Sequence, residues 1–236
     1  MAATMFQIIG FMLAGIGHFL TCSATAMDMW SLQDRSLTVV TNFYTYSGLW
    51  RSCVGTSYGT EQCRPYYTIL GLPGLFQAVR ALMIVGIVLG AIGVLIAIFA
   101  LKCLKMGNME DNVKATMTLT SGVMFILGGI CGIAGVSIFA NLIVTNFMFT
   151  TYSYSEVGVY TFGSALFVGW VGGGVLVVGG VLMCVAFPYH SYSRPHFQIL
   201  LVSLTLTFKI FGIYQTALSR LTYNHMDGRQ SKFDYV

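Results

Sequence analysis

Four apolar runs, Phe6 to Met27, Val79 to Leu101, Met117 to Val144 and Phe162 to Phe187, dominate the chain, and of all its Asp, Glu, Lys and Arg residues only Arg80 lies inside one of them. Crossing a hydrocarbon layer about 30 Å thick takes roughly 20 residues of helix, a length each run reaches. With no water in lipid to satisfy peptide groups, such runs must be helical. Charged residues are 8% of the chain, against roughly 25% in soluble domains. Hydrophobic residues are 56%, more than one aqueous core of this length could hide. An ordinary soluble domain is thereby excluded, as is a disordered chain, which needs low hydrophobicity. The net charge of +4 is too small and too scattered for nucleic-acid binding.

Glycine placement agrees with a packed membrane bundle. Gly86, Gly90 and Gly93 fall on the second run, Gly128, Gly132 and Gly135 on the third, and Gly169, Gly173 and Gly180 on the fourth, where small residues let helices approach closely. The first run ends in Ala24-Thr25-Ala26, a small-residue pattern like a leader cleavage site. No Lys or Arg precedes it and the apolar stretch continues to Met27, so it reads as a span and not a removed leader. His18, with no acidic residue in any span, reads as a packing histidine.

Four spans place both termini on one side, with outer loops 28–78 and 145–161, an inner loop 102–116 and a tail 188–236. The inner loop holds Lys102, Lys105 and Lys114, and the tail adds Arg194, Lys209, Arg220, Arg229 and Lys232, whereas the outer loops hold only Arg35, Arg51 and Arg64. This positive-inside bias predicts cytoplasmic termini. Cysteine usage gives an independent reading. Cys53 and Cys63 are the only pair in one predicted loop. An extracellular loop is oxidising, so they are expected to be joined, constraining the unfolded chain by roughly 3 kcal/mol. Without His or further Cys nearby they make a poor metal site. Cys103 and Cys184, at inner ends of spans, are candidates for palmitoylation.

Within the first outer loop the composition turns β-like. Ser36 to Tyr46 is rich in β-branched and aromatic residues and is followed by Ser47-Gly48 as a turn signal. Ser52 to Gln62 offers a hairpin with Gly55 and Gly59 near its tip and the cysteines at its base. A small antiparallel sheet resting on the helix ends, tied by the disulfide, Trp30 and Trp50, is the expectation, because a hairpin alone is marginal.

Trp30, then Gly48-Leu49-Trp50 separated by two residues from Cys53, then Cys63, then Gln77 to Met83 with Arg80 inside it, resemble the loop of the claudins, a four-span family of tight junctions. Phe139-Ala140-Asn141 and Ala165 to Trp170 extend the resemblance, which runs from the N-terminus to about residue 187. It implies a membrane α-helical fold: a left-handed four-helix transmembrane bundle topped by a small extracellular antiparallel β-sheet of five strands. It further implies polymerisation into strands through self and other claudins, in cis and in trans, at cell–cell contacts of the cell membrane. The outcome would be control of paracellular ion passage. No catalytic residue, metal or other cofactor is implied, and no H-E-x-x-H, P-loop, G-x-S-x-G or C-x-x-C motif is present.

The resemblance also implies roles for single positions. The position after the second Cys tunes charge selectivity in the family, a carboxylate there going with cation passage; here it is Arg64. Its guanidinium stays protonated, which predicts a barrier to cations including H⁺. The alternative is that Arg64 pairs with Glu61 and is electrically silent. Strand assembly maps onto Ile69 and the pair Phe147 and Met148, although Asn146 to Phe149 lacks the acidic residue and Pro common in the family. The terminal Tyr235-Val236 suits a PDZ groove of a junction scaffold protein. Ile199 to Ile210 alternates apolar and polar residues like a strand, which the family does not lead one to expect; it reads as translated non-coding sequence or a divergent tail. The competing function is a four-span regulatory subunit of an ion channel or receptor, since related families share the loop signature.

Overall fold

The apolar runs fold as four helices in the computed structural model, which describes residues 2–34, 43–56, 59–66, 74–105, 111–152 and 159–185. These are α1 (Ala2–Ala26), α2 (Gly74–Lys105), α3 (Asp111–Tyr152) and α4 (Ser164–Val185). Each contains a segment long and apolar enough to cross a membrane: Met5–Ala26, Gly74–Leu101, Ala115–Thr145 and Ser164–Val185. Large apolar side chains such as Phe19, Leu95, Phe99 and Val171 point outward, as a lipid-facing surface requires. α1 packs along α4, α4 along α3, and α3 along α2, whereas α1 and α2 touch far less. Glycine makes the approach possible. A Cβ on Gly17 would stand 2.5 Å from the Leu176 nitrogen, and one on Gly129 would stand 2.8 Å from the Gly173 carbonyl oxygen.

α3 continues past its membrane-crossing segment, Ala115–Thr145, into the outer loop as far as Tyr152; no Gly or Pro lies between Thr145 and Tyr152 to end it. One expected boundary is corrected. The fourth span placed at 162–187 begins too early. Phe162 is the last residue of a strand, paired with Ser31, and the helix starts at Ser164.

Five strands, β1 (Ser31–Asp34), β2 (Phe43–Ser47), β3 (Arg51–Thr56), β4 (Glu61–Pro65) and β5 (Val159–Phe162), form one antiparallel sheet in the order β4-β3-β2-β1-β5. The first outer loop supplies four strands and the second closes the far edge. Part of the β-like stretch 36–46 lies outside the described residues; its end forms β2. Gly59 carries the β3–β4 turn with φ +86°, a backbone region L side chains rarely adopt. Gly55, one residue before the end of β3, lies near that tip, opposite Tyr44 and Glu61.

The sheet does not float on the bundle. Trp30 and Leu49 from the loop join Val79, Met83, Val136, Phe139, Ile143, Ala165 and Leu166 in one buried cluster. A second cluster of Ala14, Ala97, Phe125, Leu176 and Met183 fills another stretch of the bundle. Gln7 donates to Thr118 across α1 and α3 at 2.8 Å, both side chains being buried. His18 has its Nε2 3.7 Å from the Cys22 sulfur while its Nδ1 is buried with no partner.

Candidate functional site

A helix leaves its last carbonyls without intrahelical donors, and at the end of α1 those groups meet the loop. The Ser23 carbonyl accepts the Met27 N–H at 3.0 Å, the Ala24 carbonyl the Trp30 indole N–H at 2.9 Å, and the Thr25 carbonyl the Trp50 indole N–H at 2.9 Å. Trp30 is fully buried and packs edge-on against Phe139 of α3, ring centres 5.0 Å apart. Two loop tryptophans therefore cap one membrane helix.

Arg80 braces the joint from α2. Its Nε donates to the Leu49 carbonyl at 2.7 Å, and its guanidinium carbon lies 5.0 Å from the Phe76 ring centre, 5.3 Å from Trp50 and 5.4 Å from Tyr66. Three aromatic faces thus carry the only charge of the apolar runs. Asp28, just past α1, pairs with Arg51 at 2.7 Å. A Cβ on Gly48 would stand 2.6 Å from the Asp28 Cα, so only glycine passes there. The signature Trp30, Gly48, Leu49, Trp50 and Arg80 is thereby the mechanical seat of the sheet.

On that seat stands the edge hairpin. Cys53 and Cys63 face each other in register and are disulfide-bonded, with Cα atoms 4.0 Å apart. Arg64, next along β4, sits opposite Ser52 and is exposed. Side chains alternate along a strand, so Arg64 and Glu61 project from opposite faces. Among the described residues Arg64 pairs with no carboxylate. Glu61 is engaged instead by two phenols: Tyr44 donates to one carboxylate oxygen at 3.0 Å and Tyr46 to the other at 3.3 Å. Burial, and then the Glu61 charge, push the Tyr46 phenol above its ordinary value.

The remaining candidates are scattered. Phe147 and Met148 lie in the last turns of α3, and Cys103 near the end of α2. Cys184, in the last turn of α4, places its sulfur against Gly122 of α3, the position of a packed thiol. Ile69, Tyr235 and Val236, with the tail from 188 onward, lie outside the described residues. Sequence reasoning missed the Asp28–Arg51 pair and the engagement of Glu61. The available signal for the latter was Tyr44 and Tyr46 two apart on one strand face.

A four-span membrane protein whose outer sheet is seated by two tryptophans and an arginine, and pinned by one disulfide, is the class these features define. A family model described as the PMP-22/EMP/MP20/Claudin family matches residues 4–183. The chain belongs to that family. It is similar to human claudin-18, with 58% identity over 195 residues that cover 79% of this chain and 75% of the relative. Mouse claudin-7 is 34% identical over 189 residues, 80% of this chain and 89% of the relative. Human claudin-19 is likewise 34% identical over 189 residues, covering 80% and 84%.

Proposed function

We propose that the protein is a structural, non-enzymatic component of tight-junction strands that restricts the paracellular passage of cations, including H⁺. The observation that carries the charge assignment is Arg64: exposed on the edge strand, beside the disulfide, and on the face away from Glu61. In a narrow aqueous passage, low-dielectric walls focus the field of one fixed charge and repel ions of like sign. A guanidinium keeps that charge at every working pH.

The multi-pass topology follows, with both termini cytoplasmic, as the Lys-rich inner loop favours. Partners are further copies of the chain and other claudins, in cis and in trans, with Ile69 meeting Phe147 and Met148 between neighbours. Tyr235 and Val236 engage a PDZ scaffold protein, and acylation of Cys103 adds a lipid anchor at the inner face. For Cys184 the packed thiol is the favoured state. The domain division is a four-span unit over 1–187 and a cytoplasmic tail over 188–236.

Expression in cells lacking tight junctions, followed by freeze-fracture imaging, tests the assignment. Continuous strands at cell contacts are expected. A diffuse distribution with altered ionic current would instead assign a channel-regulating subunit.

A further inference from the structure

The outer sheet carries two opposite charges on one edge strand, and the structure treats them unequally. Arg64 stands free of carboxylates among the described residues. Glu61, three positions earlier and on the other face, has each carboxylate oxygen occupied by a phenol donor. The two phenols come from β2, not from the neighbouring strand β3. Tyr44 reaches β4 because the residue between it and Glu61 is glycine, Tyr44, Gly55 and Glu61 forming one row across three strands, while Tyr46, in the row of Cys53 and Cys63, reaches Glu61 on the diagonal. A Cβ on Gly55 would run into the Tyr44 ring. The Tyr44 and Tyr46 rings stack, 6.1 Å between centres and 16° between planes, so the two hydroxyls are presented together.

We propose that Tyr44 and Tyr46 clamp the Glu61 carboxylate across Gly55 and mask it from passing ions, making Glu61 a latent cation-selectivity determinant that leaves Arg64 to set the sign of the passage. This rests on the charge-selectivity reading above and names further residues of the same site. The physical case has two parts. Each O–H dipole presents its positive end to the carboxylate, which lowers the negative potential the carboxylate projects. The two phenols also occupy one lone-pair site on each carboxylate oxygen, leaving fewer sites at which a cation can be coordinated. A phenol is an O–H donor throughout the physiological range, and burial and the Glu61 charge push that of Tyr46 higher still. Freed of its phenols, Glu61 would offer a cation the open carboxylate that Arg64 opposes on the other face.

The test uses epithelial layers expressing the full chain, with surface delivery and Cys53–Cys63 bonding checked for each variant. Tyr44→Phe/Tyr46→Phe keeps both rings and removes both hydroxyls, and is expected to raise the sodium-to-chloride permeability ratio about twofold, the scale of one exposed electrostatic contact. Adding Glu61→Gln to that pair is expected to return the ratio to the wild-type value. Tyr44→Phe alone, at an exposed position, gives a smaller rise in the same direction and covers the case in which the double variant fails to reach the surface. An unchanged ratio in the Phe variants overturns the proposal. So does a rise that persists with Glu61→Gln, since it would come from a loosened sheet. Arg64→Ala runs in parallel: a flat response there, with the Phe variants still shifting, contradicts the Arg64 reading and leaves the clamp standing.

Discussion

The Trp50 indole N–H donates to the carbonyl of Thr25, 2.9 Å away and twenty-five residues earlier in the chain, so a loop side chain completes the end of a membrane helix. Trp30 does the same for Ala24. The outer sheet is seated by satisfying backbone groups that the helix itself leaves open.

Trp50→Phe keeps an aromatic ring and strands the Thr25 carbonyl. Loss of one donor to a buried acceptor costs about 1–3 kcal/mol. Trp50 is 40% exposed, so water can replace part of the bond, whereas Trp30 is fully buried. Trp30→Phe is therefore expected to lower the thermal midpoint of the purified protein in lipid nanodiscs by more than Trp50→Phe.

Arg80→Lys keeps the charge and loses the planar stack on Phe76, Trp50 and Tyr66. Cation–π contacts of this kind carry roughly 0.5–2 kcal/mol, and an ammonium does not reproduce a guanidinium stack. The same nanodisc measurement should show a lowered midpoint despite unchanged net charge.

Gly17 and Gly15 make a matched pair on α1. A Cβ at Gly17 meets α4 backbone at 2.5 to 2.8 Å, while one at Gly15 meets nothing within 4 Å. Gly17→Ala must push two helices apart, an overpacking cost of typically 1–3 kcal/mol. Gly15→Ala is expected to be neutral or to add up to about 1 kcal/mol of helix stability. Surface expression and thermal midpoint, compared side by side, check the contrast.

Cys53→Ser removes the bond that pins β3 to β4. The closed loop of about ten residues is worth roughly 3 kcal/mol on the chain-entropy model. Limited proteolysis of intact cells should cut the variant between Cys53 and Cys63 far faster than the wild type.

The bundle was legible because lipid leaves a coarse imprint: charge must leave the spans, and Arg80 alone stays. The joined cysteines were legible for the same reason, as the one thiol pair outside the spans. Helix ends were not. Hydropathy reports where lipid stops, and α3 runs past that point to Tyr152 for want of a residue to stop it. The β1–β5 pairing joins Ser31 to Phe162, a non-local contact that no window along the chain contains. An Arg64–Glu61 ion pair stayed open as the alternative in the sequence, and strand alternation closes it by putting the two on opposite faces. Only the fold shows that Gly55 is a gap for a tyrosine.

The central claim is that the exposed Arg64 guanidinium sets the charge preference of the passage. Dilution potentials across epithelial layers expressing wild type or Arg64→Asp measure it directly. A severalfold rise in the sodium-to-chloride permeability ratio, with strands still continuous by freeze-fracture, is the predicted result; an unchanged ratio in layers with continuous strands would contradict it.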